Sequence, residues 1–106
     1  SGKWNIEKDS TYRGVGSTNH QVVYLGQPGD YFNFTSDGHL YTNENSILDT
    51  LNYTISSDSI MILNFGYEGG VGKGLILFLS THSLIISSGY LNTPGGVFGR
   101  TVYFYS

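Results

Sequence analysis

The hydrophobic and polar positions alternate most clearly over residues 30–42, DYFNFTSDGHLYT. Phe32 and Phe34 alternate with Tyr31, Asn33 and Thr35, and the pattern breaks at Ser36-Asp37-Gly38. Leu40 and Thr42 resume it. Period-2 alternation on both sides of an Asp-Gly turn predicts two short strands joined as a hairpin. The same grammar recurs along the chain. Residues 2–8 place Trp4 and Ile6 on one face and charges on the other, which predicts a half-buried first strand. Residues 9–19 are polar and contain Gly, so a loop or irregular edge is expected there.

Further strands are expected at 20–25 (HQVVYL), 50–56, 60–65 (IMILNF), 75–80 (LILFLS), 83–87 and 100–105 (RTVYFY). Between them lie turn or loop signals at 26–29, 43–46, 57–58, 66–74, 81–82 and 88–99. Helical periodicity is nowhere sustained; Ile47, Leu48 and Leu51 allow one helical turn at most. Turn signals every ~8–12 residues mark an all-β chain. Short connections favour an antiparallel meander, and a long meander removes its unpaired edges by closing. The expected fold is a single domain over residues 1–106, a small β-barrel of eight or nine strands, with a β-sandwich as the alternative.

Composition agrees with strands and turns. Of 106 residues, 39% are hydrophobic and 12% charged, with fifteen Gly and nine Tyr. The net charge is −3 and no basic run occurs, so phosphate-driven nucleic-acid binding is not expected. There is no Cys, which excludes disulfides and thiolate chemistry. No apolar run approaches the ~20 residues of a membrane-spanning helix.

Two Trp-bearing and hairpin motifs resemble a known family. Gly2-Lys3-Trp4 is similar to the Gly-x-Trp opening of lipocalins. The run YFNFTSDGHLYT, then Asp49-Thr50-Leu51-Asn52-Tyr53-Thr54-Ile55 and Asp58-Ser59-Ile60-Met61-Ile62, resembles the short bacterial lipocalin-like domain, with Leu75–Ser87 and Thr101–Tyr105 completing the order. That resemblance implies an exported envelope protein: periplasmic, anchored to the outer membrane by an upstream lipid, or extracellular, with its export signal removed. It also implies an Arg packed across the Trp; Arg100 beside Trp4 is the candidate, the two closing the barrel bottom.

Alternation assigns an inner face to Trp4, Ile6, Phe32, Phe34, Leu40, Leu51, Tyr53, Ile55, Ile60 and Ile62, and further on to Leu75, Leu77, Leu79, Leu84, Ile86, Val102 and Phe104. A barrel of eight strands is either filled by such side chains or holds one small ligand. The expected function is non-enzymatic binding of a small hydrophobic molecule in or at the barrel mouth, lined by Trp4, Phe32, Phe34, Tyr53, Phe104 and Arg100. A second expectation comes from strands apolar on both faces. Met61, Leu63, Phe65, Ile76, Phe78 and Ile85 would point outward as a homodimer or envelope-partner surface. A third is a carbohydrate platform of surface tyrosines, Tyr31, Tyr41, Tyr103 and Tyr105.

Catalytic and cofactor motifs are not in evidence. The glycine stretch 66–74 lacks the P-loop spacing, and no G-x-S-x-G or H-E-x-x-H occurs. His20, His39 and His82 have no partner at metal-ligand spacing. Asp30, Asp37, Asp49 and Asp58 fall near turns, where Asp binds backbone N–H groups. No enzyme, metal or cofactor is expected.

Overall fold

A computed structural model of the protein describes residues 2–56, 59–63, 65 and 71–106, with the side chains of 63 and 71–73 outside that description. The strands are β1 (Gly2–Arg13), β2 (His20–Leu25), β3 (Tyr31–Phe34), β4 (His39–Glu44), β5 (Ile47–Ser56), β6 (Ser59–Leu63), β7 (Val71–Leu79), β8 (Ser83–Thr93) and β9 (Gly96–Tyr105). Each pairs antiparallel with its neighbours in the order β2-β1-β3-β4-β5-β6-β7-β8-β9, and β1 also pairs with β9. The fold is a closed antiparallel barrel of eight strands, with β2 as a ninth outside the closure.

Closure depends on β1. Its Asn5–Thr11 segment pairs with β9 along one edge. Along the other edge, Gly2–Asn5 pairs with β3 and Lys8–Arg13 with β2. Thus β2 and β3 run end to end beside β1, separated by residues 26–30. The gap is stitched by Gly26 N–H to the Glu7 carbonyl at 2.8 Å and Ile6 N–H to the Asp30 carbonyl at 3.1 Å. A Cβ at Gly26 would lie 1.8 Å from the Ile6 carbonyl oxygen, so only glycine fits.

Two turns follow their local chemistry. Gly38, at φ 87°, closes the β3–β4 hairpin in the left-handed conformation that Asp-Gly turns favour. Asn45 and Ser46, at φ 54° and 66°, join Glu44 to Ile47 in a two-residue hairpin whose twist matches the strands. Consequently β4 runs on to Glu44 and β5 starts at Ile47, where the sequence pattern predicts a loop at 43–46 and a strand from Thr50.

Two other expected loops are also strand. The predicted loop at 9–19 gives way to β1 as far as Arg13, because a β-bulge between Ile6 and Lys8 changes the phase of the strand instead of ending it. The predicted loop at 88–99 is largely the outer half of the β8–β9 hairpin, bulged between Ser87 and Tyr90 and turning at Pro94-Gly95. Asn19 ties this hairpin to the β1–β2 turn: its Nδ2 donates to the Val97 carbonyl at 3.1 Å and its Oδ1 accepts Val97 N–H at 2.9 Å. The predicted glycine loop at 66–74 enters β7 at Val71, and residues 66–70 lie outside the described residues.

The core fills one part of the barrel. Ile6, Phe32, Phe34, Leu40, Tyr53, Ile60, Ile62, Phe65, Leu84, Ile86, Val102 and Phe104 are buried, with Trp4, Leu51 and Ile76 packed against them. Strand β7 departs from the expected inner face. Gly74 and Ile76 point in, and a Cβ on Gly74 would meet Ile86 Cγ2 at 2.7 Å. Leu77 and Leu79, predicted inside, are each 60% exposed, and Leu75 and Ile55 are exposed as well. In LILFLS every position but the last is apolar, so the pattern does not define which face is inner; contact with Ile60 and Ile86 does.

Candidate functional site

Above the apolar core the barrel interior turns polar. After the bulge, β1 sends Asp9, Thr11 and Arg13 inward in place of Trp4 and Ile6. Strand β4 follows Leu40 with Thr42 and Glu44 on the same face, and β5 contributes Ile47, Asp49 and Leu51. Val22 and Tyr24 of β2 and Arg100 of β9 complete the wall, and Phe32 and Phe65 lie at the base. Together they enclose a cup of about 590 Å³ with the β4–β5 turn at its lip.

The base of the cup is a three-member charged cluster. Arg100 Nε donates to both oxygens of Asp9 at 3.1 Å, and Nη2 donates to Asp9 Oδ2 at 2.6 Å and to Glu44 Oε1 at 3.1 Å. Nη1 reaches the Phe65 carbonyl at 3.4 Å. The guanidinium carbon lies 5.0 Å from the Phe65 ring centre and 5.6 Å from that of Phe32. Planar delocalised charge suits this sandwich of aromatic faces and forked carboxylate contacts.

Burial acts on all three groups, and their partners decide the result. Burial pushes the Asp9 carboxyl up, but hydrogen bonding with Glu44 and Arg100 outweighs it and holds Asp9 below the usual carboxylate range. Glu44 is pushed up to about 8, first by burial and then by the neighbouring Asp9, against the opposing charge of Arg100. Burial lowers Arg100, but its two carboxylate partners more than compensate, and it stays cationic. At neutral pH the cluster therefore holds one ionised carboxylate, one protonated carboxyl and one guanidinium.

A second buried carboxylate shapes the wall. Asp30 accepts the Tyr24 hydroxyl at 2.5 Å, Gln27 N–H at 2.9 Å and Asn45 N–H at 3.2 Å. It thereby ties β2, its own turn and the β4–β5 tip together. Burial raises Asp30, but these donors prevail and its carboxyl sits below its ordinary range, while the hydrogen bond to Asp30 raises the Tyr24 hydroxyl.

Of the predicted ligand-lining residues, Phe32 and Arg100 line the cup. Phe34, Tyr53 and Phe104 belong to the packed core, and Trp4 packs against it. Phe34 meets Tyr53 edge-on at 5.1 Å, and the Tyr53 hydroxyl donates to the Thr35 carbonyl at 2.5 Å. The expected closure of the bottom by Trp4 and Arg100 is corrected. Arg100 pairs in register with Thr11, seven residues along β1 from Trp4, and its guanidinium lies over Phe32 and Phe65.

The predicted outward surface is rearranged. Met61 and Phe78 are exposed, at 38% and 52%, and Ile85 is half-buried. Ile76 packs on the core, on the inner phase of β7. Phe65 is 1% exposed: beyond the end of β6 its N–H bonds the Ile62 carbonyl and its ring turns in under Arg100. The Leu63 side chain lies outside the described residues.

Alternation alone leaves out Asp9 and Glu44, the carboxylates of the cluster. Asp9 is out of phase with Trp4 and Ile6, and only the bulge brings it inward. Glu44 falls on the inner phase of Leu40 and Thr42, a signal present in the sequence once β4 is extended to its turn. Among the described residues no cluster of three or more His, Cys, Asp or Glu is arranged to hold a metal ion, and no helix is long and apolar enough to cross a membrane. Set beside protein-family models, curated proteins and solved structures, the chain matches none.

Proposed function

We propose that the protein is a non-enzymatic binder of one small molecule, held in the cup at the mouth of the barrel. The observation that carries this reading is the division of the interior: a packed apolar core below, and about 590 Å³ above it lined by both apolar and charged side chains. Cups of this size with a few converging polar groups suit drug-sized ligands. Leu51 and Val22 would take an apolar part, and the Asp9–Arg100–Glu44 cluster a polar one. The ligand is thus amphipathic rather than wholly hydrophobic. The lipocalin-like reading and a place in the cell envelope rest on the resemblance of the sequence motifs.

Native mass spectrometry with organic extraction tests the proposal, comparing the protein with Thr11→Trp, which fills the cup from β1. A small molecule carried by the protein and lost from the folded variant supports it. Equal retention by both places the ligand elsewhere.

A second reading has its own observation. Leu77, Phe78, Leu79 and Met61 leave an exposed apolar strip on β6 and β7, which supports self-association. Sedimentation of the protein and of Phe78→Asp, with a concentration-dependent dimer only in the former, would favour it.

A further inference from the structure

A barrel removes its unpaired strand edges by closing, and this one closes without β2. Among the described residues β2 pairs with β1 alone, from Lys8 opposite Leu25 to Arg13 opposite His20. In an antiparallel pair alternate residues direct both N–H and C=O away from the partner, so β2 presents a second row of backbone groups. At one end of the strand Gln27 Nε2 donates to the Leu25 carbonyl at 3.3 Å. Exposed edges are commonly blunted by Lys, Pro, a bulge or an inward-pointing charge. The β2 sequence HQVVYL has no Lys, Arg, Asp, Glu or Pro, and its register with β1 is unbroken. Its outward Val23 and Leu25 are 50% and 63% exposed.

The register also shows where a further strand would lie. Strands β2 and β3 pair with the same edge of β1, and β4 pairs with the far edge of β3 as far as Tyr31 opposite Asn43. Strand β4 then turns at Asn45-Ser46 into β5. Beside β2, the place that a longer β4 would take holds no strand among the described residues. That place borders the cup, which Val22 and Tyr24 line from β2 and Ile47 lines from β5.

We propose that β2 is a docking edge for an extended, uncharged segment of a partner protein, which adds to the sheet antiparallel to β2 and completes the barrel wall above β4. Main-chain hydrogen bonds hold a segment of this kind, and alternate side chains select it. Its inward residues lie beside Val22 and Tyr24 at the mouth of the cup, and its outward residues beside Val23 and Leu25. Apolar neighbours on both faces of β2 favour apolar residues in the segment, and an edge without fixed charge offers a charged one no partner. A second copy of the chain suits the edge less well. A stable dimer takes about 20–30 residues a side, whereas β2 has 6 residues. The docking edge does not depend on what the cup holds, so it goes beyond the small-molecule reading.

Two capped peptides of about eight residues test it, one alternating threonine with valine and one alternating threonine with leucine, each with a terminal lysine for solubility. Each has a control of the same sequence N-methylated at consecutive central residues, which keeps the side chains and removes backbone donors from both edges. Amide hydrogen exchange of the labelled protein is the readout. At least one parent peptide, at about 1 mM, should slow exchange by about tenfold or more at alternate residues of β2. Its N-methylated control should change nothing there. Protection on β7 or elsewhere instead of β2, equal protection by the N-methylated control, or no protection by either parent peptide would overturn the inference. Edge amides of β2 that are already slow in concentrated protein without peptide, and fast in dilute protein, would place a second copy on the edge and overturn it as well.

Discussion

Asp9 and Glu44 meet on one nitrogen of Arg100, Nη2, at 2.6 and 3.1 Å. The two carboxylates reach that atom from different strands, and each would disfavour the other's ionisation if Arg100 were absent. Their unequal contacts settle which keeps the proton. Asp9 takes three hydrogen bonds from Arg100, one from Thr11 and another from the protonated Glu44 carboxyl, whereas Glu44 accepts one from Arg100.

This asymmetry fixes the pH dependence of stability. Glu44 titrates at about 8 in the folded chain against an ordinary value of 4.5, so between these values the folded state binds more protons than the unfolded one. Its contribution to stability is therefore fully present below pH ~4.5 and is lost as pH rises toward about 8. Asp9 works in the opposite sense: its stabilising contribution is present above its ordinary value of 3.8 and is lost in stronger acid. Urea unfolding at pH 5, 7 and 9 should show the protein less stable at pH 9 than at pH 5 by more than about 1 kcal/mol. In Glu44→Gln most of that slope should vanish. An unchanged slope would assign it to another group.

Removing the guanidinium should cost more than removing either acid. Arg100→Met leaves Asp9 ionised and buried without its partner, a situation that typically costs about 3–5 kcal/mol. Arg100→Lys should recover little, because an ammonium cannot fork to Asp9 and at once reach over Phe32 and Phe65 as the guanidinium does. The double variant Asp9→Asn with Arg100→Met should recover part of the loss, since no uncompensated charge remains. Thermal melts of these variants beside Asp9→Asn and Glu44→Gln give the comparison, and an additive double variant would show that Asp9 and Arg100 do not depend on each other.

Asp30 holds the wall of the cup without touching its base. Asp30→Ala should remove acceptors from Tyr24, Gln27 and Asn45, at a cost of about 1–3 kcal/mol for the donors left without partners. Tyr24→Phe removes one of these bonds and should cost about 0.5–1.5 kcal/mol. Amide hydrogen exchange at Gln27 and Asn45 should accelerate in Asp30→Ala but not in Tyr24→Phe. Equal acceleration in both would mean that the tyrosine, not the carboxylate, fastens the β4–β5 tip.

The barrel was legible in the sequence, and most of the cup was not. Strict alternation at Phe32, Phe34 and Leu40, with Gly38 in the turn, predicts a hairpin that forms as expected. The same rule fails where a strand carries an extra residue. The bulge after Ile6 reverses the facing of Asp9, Thr11 and Arg13, so a strand that turns polar inward looks like a loop. On β7 the rule fails for another reason: apolar residues on both faces give no phase to read. The sequence marks Arg100 as a candidate but not its partners, because ion pairing across strands β1, β4 and β9 is a property of closure that no local pattern encodes. In the sequence Asp30 reads as a turn residue. It is one, binding Gln27 N–H, and it also reaches Asn45 at the end of the adjacent strand β4.

Gly26 tests whether the break between β2 and β3 builds the cup. Its N–H bonds the Glu7 carbonyl at 2.8 Å, and a Cβ would fall 1.8 Å from the Ile6 carbonyl oxygen. That atom is backbone, at the start of the bulge in β1, and cannot step aside without moving the strand. Gly26→Ala should therefore push β1 and β2 apart at the point where β1 changes phase, at a cost of about 1–3 kcal/mol. Because Asp9 lies just beyond the bulge, the displacement should also loosen its contact with Arg100 and reduce ligand binding in the cup. A Gly29→Ala control probes the same turn at a site where a Cβ meets nothing within 4 Å, with backbone strain at φ 96° as its only penalty. If Gly29→Ala loses stability but keeps ligand binding while Gly26→Ala loses both, the close approach of the two strands positions the charged cluster. Equal loss of binding in the two variants would show that the turn as a whole, rather than this contact, sets the geometry.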